Sequence, residues 1–317
     1  MLRRSPIEPF IEKYGMLLLD GALATELERQ GLDLNTDLWS AQFLLDNPEA
    51  IKNVHLSYLE AGAKCIISAS YQASIKGFMD YGLSEEEAIA LLKKSVALAI
   101  EARDEFMEDK HSELLPLVAA SIGPYGAVLA DGAEYRGGYA LSKNALLEFH
   151  EQRWEILAAS PSDLLAIETI PSIREAEVIS GLLQQTPDKF AWVSFSCQDG
   201  ERISDGTPIK ECVSLFNECD GVVAVGVNCT PPRYISSLIK HIRAGAPGKY
   251  IVVYPNSGEV YNADEKSWSG SLKPFESGKD AEIWYKNGAK LIGGCCRLGP
   301  EHIKVMRDNL SQMHDIA

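Results

Sequence analysis

Three cysteines combine type and spacing in a way that could do chemistry: Cys229 closes the segment VVAVGVNC, and the adjacent Cys295 and Cys296 close LIGGCC. Each group ends a short apolar run of the kind that forms a buried strand, so thiols far apart in the chain can meet where two strands end. A single cysteine at a strand end is commonly a small buried hydrophobe. The vicinal pair is different, because neighbours in a strand point to opposite faces and can share one point only where the strand has stopped. The glycines before the pair, Gly293 and Gly294, permit close approach and unusual dihedrals there. Three thiolates at one point suit zinc. Structural zinc usually recruits a fourth protein ligand, whereas a catalytic ion keeps that position open, so the pattern reads as an enzyme.

The elements that must position these thiols recur from end to end. Eight apolar runs bounded by turn residues are expected as strands: Met16–Leu19, Cys65–Ser68, Leu117–Ile122, Leu164–Ile167, Ala191–Phe195, Val222–Val227, Tyr250–Tyr254 and Lys290–Ile292. Amphipathic stretches such as ALATELERQ, PEAIKNVHLSYLEAG, SEEEAIALLKKSVALAIEARDEFMED and IREAEVISGLLQQ lie between them and repeat apolar residues every three or four positions. Continuous rather than alternating apolar strands imply a parallel sheet covered on both faces, and eight βα units match a closed (β/α)8 TIM barrel. An open doubly wound sheet is the alternative. It is disfavoured by the count and by DGALAT standing where a GxGxxG turn would follow the first strand. No linker-like composition divides residues 1–317, so one α/β domain is expected over that span.

The whole chain sets limits on partners. Its 317 residues carry 45 acidic and 30 basic side chains, a net charge of -15. That balance argues against nucleic acid or an anionic membrane and modestly favours a cationic ligand. No run approaches the ~18 apolar residues of a membrane span, and MLRRSPIEPF lacks an apolar signal core, so a cytoplasmic protein is expected. Seven cysteines are too sparse for a disulfide scaffold. Cys65 and Cys197 in apolar runs, and Cys212 and Cys219 on an expected helix, read as packing.

In a TIM barrel the active site forms at the C-terminal rim. Reading strand ends in order gives Asp20; Ser68, Ser70, Tyr71 and Gln72; Gly123; Glu168 and Thr169; Ser196 to Gln198; Asn228 and Cys229; Asn256 and Ser257; then Gly294, Cys295 and Cys296. Two long connections, GPYGAVLADGAEYRGGYALSK and NSGEVYNADEKSWSGSLKPFESGKD, leave the same rim, where long loops tend to carry function. Three thiolates leave a zinc site net negative, poorly suited to activating water and suited to a fourth thiolate that stays nucleophilic. The substrate is then expected to be a thiol, attacking an electrophile such as a sulfonium methyl. Asp20 and Glu168 could grip an ammonium group, and backbone N–H groups of Gly21 and Ala22 could accept a carboxylate. The alternative for each acid alone is a helix cap or a rim salt bridge, which weighs evenly for Asp20 and less for Glu168.

Together DGALATELERQG, SASYQAS, GPYGAVLADGAEYRG, ETIPSIREAE, SDGTP, GVNC, YPNSGE and LIGGCCR resemble the homocysteine S-methyltransferases that use S-methylmethionine, from about Asp20 to Arg297. The resemblance implies a zinc-dependent barrel that moves a methyl group from S-methylmethionine to L-homocysteine, with S-adenosylmethionine a less favoured donor. It implies Cys229, Cys295 and Cys296 as zinc ligands and Asp20 and Glu168 on the homocysteine ammonium. Trp39 in DLWS matches a family aromatic near the homocysteine site, and Ser68 stands where more distant relatives have threonine. Trp39, Tyr71 or Tyr125 could face the sulfonium with roughly 0.5–2 kcal/mol of cation–π attraction, or simply pack in the core. Tyr71, Gln72, Tyr125 and Asn256 are the candidate donor pocket. SPSD before the fourth strand departs from the family's AGAD, away from the expected site. His150, Arg153 and His302 are not needed as bases. A zinc hydrolase would be expected to show a His-rich ligand set or HExxH, and a non-catalytic zinc or thiol store has no use for the rim acids.

Overall fold

Eight parallel strands curl around a common core in the order of the apolar runs: β1 (Leu17–Leu18), β2 (Cys65–Ile67), β3 (Leu117–Ile122), β4 (Leu164–Ile170), β5 (Ala191–Phe195), β6 (Val222–Asn228), β7 (Tyr250–Tyr254) and β8 (Ala289–Ile292). They are seen in a computed structural model that describes residues 3–34, 38–108, 114–129, 131–262, 267–269 and 276–314. Each strand pairs with its sequence neighbour, and β1 pairs with β8. The barrel closes between β1 and β2 through a parallel bridge of Leu19 with Cys65, where Asp20 N donates to Cys65 O at 3.1 Å. This is the (β/α)8 TIM-barrel fold.

The strands read as unbroken apolar runs because both of their faces are covered. Leu17, Leu117, Ala119, Leu164, Ala166, Trp192, Ala224, Val252 and Leu291 point inward and fill the barrel. Their neighbours Leu18, Val118, Ala120, Leu165, Val193, Val225, Val253 and Ile292 pack outward. The covering helices include Pro48–Ala61, Glu85–Glu108, Ile173–Gln185 and Pro232–Gly245. Ile173–Gln185 shows why such segments fold. Ser172 caps it by accepting from Glu175 N, and Ala176, Val178, Ile179, Leu182 and Leu183 form its buried stripe. A helix preceding β1, Glu8–Tyr14, sends Phe10 and the adjoining Ile7 into the inner cluster. That covers the N-terminal mouth and leaves the C-terminal mouth for the site.

Several expected boundaries move. β1 is shorter than Met16–Leu19: Met16 lies in a bend, and Leu19, whose N donates to Ile292 O at 2.8 Å, continues only as a bridge to Cys65. β4 runs on through Glu168 and Thr169 to Ile170, with a register shift between Ile167 and Ile170 and Thr169 at φ +61°. Glu168 therefore sits in a β-bulge and not beyond the strand end. Cys219 is not on the helix, because the helix carrying Cys212 ends at Ser214 and a turn separates the two. Cys65, Cys197, Cys212 and Cys219 are all buried free thiols. Of the long connections, the one after β3 folds into two short helical turns, Tyr125–Val128 and Ala133–Tyr135. Within the one after β7 lies a small antiparallel pair, Val260–Asn262 with Ser267–Ser269, while residues 263–266 and 270–275 lie outside the described residues.

Candidate metal and substrate site

The thiols meet at the C-terminal mouth. The sulfurs of Cys229, Cys295 and Cys296 all lie within 4.8 Å of one another. Cys229 and Cys295 are joined as a disulfide, and Cys296 Sγ is 3.6 Å from Cys229 Sγ and 3.9 Å from Cys295 Sγ. Backbone bonds fix all three positions: Cys229 N donates to Tyr254 O at 3.2 Å, Cys295 N to Pro255 O at 2.8 Å, and Cys296 O accepts from Ser257 N at 3.1 Å. Close approach is what the preceding glycines supply, since a Cβ on Gly293 would stand 2.7 Å from Leu19 Cβ. Neither glycine uses a positive φ. Among the described residues, no His, Asp or Glu joins the three sulfurs as a further ligand of the group. Burial pushes the Cys296 thiol up to about 11.

A cavity of about 130 Å³ opens beside the sulfurs. Gly21, Ala22, Trp39, Ser68, Tyr71 and Glu168 line it together with all three cysteines. Asp20, the residue before Gly21, is buried and is not itself in the cavity lining. Its Oδ2 accepts from Ile67 N at 2.8 Å, stapling β1 to β2, while Oδ1 has no hydrogen-bond partner. It is not the cap of the following helix, whose N-cap is Ala22. Burial holds the Asp20 carboxyl well above its usual range, and nearby Glu168 adds to the effect. Burial also raises Glu168 to about 7, against hydrogen bonds from Ser121 and Tyr254. Burial thus disfavours the ionised form of both carboxyls.

The bulge that aims Glu168 is itself pinned. Asn228 Oδ1 accepts from Thr169 N at 2.7 Å, and Asn228 Nδ2 donates to Thr169 Oγ1 at 2.7 Å. Among the described residues, the non-glycine positive-φ positions are Trp39, Thr169, Cys229 and Arg297. The first three line the cavity and the fourth follows Cys296, so backbone strain is concentrated at the site.

Other expected site residues fall elsewhere. Ala22 N donates to Leu298 O at 3.0 Å and so cannot also receive a carboxylate. Asn256 is buried and engaged, donating to Cys229 O at 3.3 Å and accepting from Gly258 N at 2.9 Å. It braces a cysteine rather than lining the cavity. Gln72 accepts from Ser40 Oγ at 3.1 Å and donates to Ala127 O at 3.2 Å. With Tyr125 it lines a neighbouring cavity that shares Trp39 with the first. Conversely, Glu134, Tyr135, Thr25 and Tyr254 line the first cavity without having stood out as candidates. The signal for Glu134 and Tyr135 was their place in the long loop after β3. Tyr254, as the last residue of β7, is marked only by its position.

Comparison with known proteins follows the same lines. The family model described as Homocysteine S-methyltransferase matches residues 17–310. The chain is 50% identical over 303 residues to Homocysteine S-methyltransferase YbgG of Bacillus subtilis, spanning 95% of this chain and 96% of that protein. It is 44% identical over 308 residues to Homocysteine S-methyltransferase of Escherichia coli, spanning 97% and 99%. The solved structure of the homocysteine methyltransferase MmuM from Escherichia coli in its metallated form superposes with a TM-score of 0.86 at 42% identity, covering 96% of this chain and 99% of that one. The match extends to an oxidised form of the same protein. With the family model covering most of its length, this chain belongs to the homocysteine S-methyltransferase family.

Proposed function

We propose that the protein is a zinc-dependent methyltransferase that moves a methyl group from S-methylmethionine, or less readily S-adenosylmethionine, to L-homocysteine. The observation that carries this reading is the convergence of three cysteine sulfurs beside a buried pair of carboxyls at one barrel mouth. The donor set fits the metal. Three soft sulfurs within 4.8 Å, with no further His, Asp or Glu ligand among the described residues, suit zinc with an open position once Cys229 and Cys295 are reduced. Zinc held there supplies the Lewis acidity that keeps an acceptor thiol deprotonated near neutral pH.

The chain's own residues do the rest. Asp20 and Glu168 hold the homocysteine ammonium, with Asp20 Oδ1 gaining the partner it lacks. Tyr254 and Ser121 orient Glu168, and the Gly21 backbone leaves room for the carboxylate. A Cβ on Gly21 would stand 2.3 Å from Leu298 O, so the packing of this turn against Leu298 and Tyr58 requires glycine. Trp39 and Tyr71 wall the cavity and exclude water. The acceptor sulfur attacks the sulfonium methyl in line, the old carbon–sulfur bond breaks, and its electron pair stays on the donor sulfur. Opposite charges disappear in that step, so a dry, low-dielectric wall favours the transition state over separated ions. No general base is required, which accords with a cavity lining that holds no histidine among the described residues.

Incubation with homocysteine and S-methylmethionine carrying deuterated methyl groups tests this directly. Mass spectrometry should find deuterated methyl in methionine built from homocysteine; no such product with either sulfonium donor would refute the assignment.

A further inference from the structure

We infer that Glu134 binds the α-ammonium group of the methyl donor, at a second cation subsite separate from Asp20 and Glu168. The inference rests on the methyl-transfer reading above and extends it to the donor. Glu134 lines the cavity, is 8% exposed, and its Oε2 has no hydrogen-bond partner. A carboxylate oxygen buried without a partner is costly, and a bound cation relieves that cost. Its placement is enforced. Ser196 Oγ donates to Glu134 O at 2.8 Å, and a Cβ on Gly126 would stand 2.6 Å from Glu134 N, so the loop packs here only because residue 126 is glycine.

Tyr71 and Cys296 are influenced by both Glu134 and Glu168, Tyr135 by Glu134, and Asp20 by Glu168, while neither Glu134 nor Glu168 is shifted by the other. Tyr135, the next residue, brings its hydroxyl to 3.7 Å from Cys296 Sγ, so Glu134 belongs to the part of the cavity adjoining the thiols. Both substrates are α-amino acids, so the cavity must satisfy two ammonium groups and one sulfonium. Asp20 and Glu168 account for one ammonium.

Between the two cations of the donor, physical reasoning selects the ammonium. The sulfonium charge vanishes during transfer, so a carboxylate paired to it would stabilise the ground state more than the transition state and slow the reaction. The ammonium keeps its charge throughout. A carboxylate there strengthens binding uniformly and leaves the barrier alone. The aromatic walls, Trp39 and Tyr71, can receive the sulfonium without that penalty.

The test compares zinc-loaded wild type and Glu134→Gln by steady-state kinetics with each substrate varied in turn, and by calorimetric titration, without homocysteine so that no transfer occurs, with S-methylmethionine and with its desamino analogue. Gln keeps the shape and removes the charge. The expected result is a KM and Kd for S-methylmethionine raised about tenfold or more, with kcat and the homocysteine KM changed less than about twofold. Binding of the desamino analogue should be unaffected by the substitution. A raised homocysteine KM, a fall in kcat at unchanged KM, or an equal loss for the desamino analogue would overturn the assignment. Failure of wild type to turn over any sulfonium donor would instead contradict the methyl-transfer reading, and the two titrations would still judge Glu134. Thermal melting of both proteins reports whether the variant is folded.

Discussion

Single residues carry the chemistry, and their roles can be separated. Cys229→Ser should remove bound metal, read by elemental analysis, and reduce methionine formation by about two orders of magnitude or more, because a hydroxyl is a poor replacement for a soft thiolate. Glu168 adds a pH signature. Burial raises its carboxyl from 4.5 to about 7 in the folded protein, so the folded state holds a proton that the unfolded chain releases. Its contribution to stability is complete below about pH 4.5 and is lost as pH rises through 7. Glu168→Gln should therefore gain on wild type in denaturant unfolding above pH 7, by on the order of 2 kcal/mol, with the gap closing near pH 4. An ammonium ligand reverses the burden, so homocysteine should bind more tightly as pH rises towards 7 and should release protons on binding. The meeting of the three cysteines was legible because each group ends an apolar run. Glu134 was not, because an acid in a glycine-rich loop looks solvated until the contacts with Ser196 and Gly126, distant or hidden by the fold, bury it.

At the scale of elements, the bulge at the end of β4 connects sequence to function. Thr169 at φ +61° is tolerated because Asn228, the last residue of β6, satisfies both its N–H and its hydroxyl. Asn228→Ala should release the bulge, raise the homocysteine KM about tenfold, and cost roughly 2–3 kcal/mol in unfolding experiments through the polar groups left unpaired. An unchanged KM would mean that Glu168 is aimed by other contacts. The apolar periods located all eight strands and the helix Ile173–Gln185. They stopped β4 at Ile167 because Glu-Thr interrupts an apolar run, and side-chain pattern alone does not register a bulge held from the neighbouring strand. The same limit applies to Ala22, whose N–H is taken by Leu298 from the neighbouring loop after β8.

On the scale of the whole molecule, the barrel brings together thiols separated by 66 residues in the chain. No helix among the described residues is long and apolar enough to cross a membrane. The joined sulfurs of Cys229 and Cys295 make metal loading dependent on reduction, since only free thiolates ligate. Protein prepared without reductant should take up little zinc, and dithiol treatment should restore both zinc content and methyl transfer. On the proposed function, three cysteine sulfurs hold zinc and leave a position for the acceptor's own sulfur. X-ray absorption at the zinc edge, recorded before and after adding homocysteine, reads that arrangement. Three sulfur neighbours around zinc are expected in the free enzyme and four with homocysteine bound. A sulfur count that does not change on adding homocysteine would contradict it.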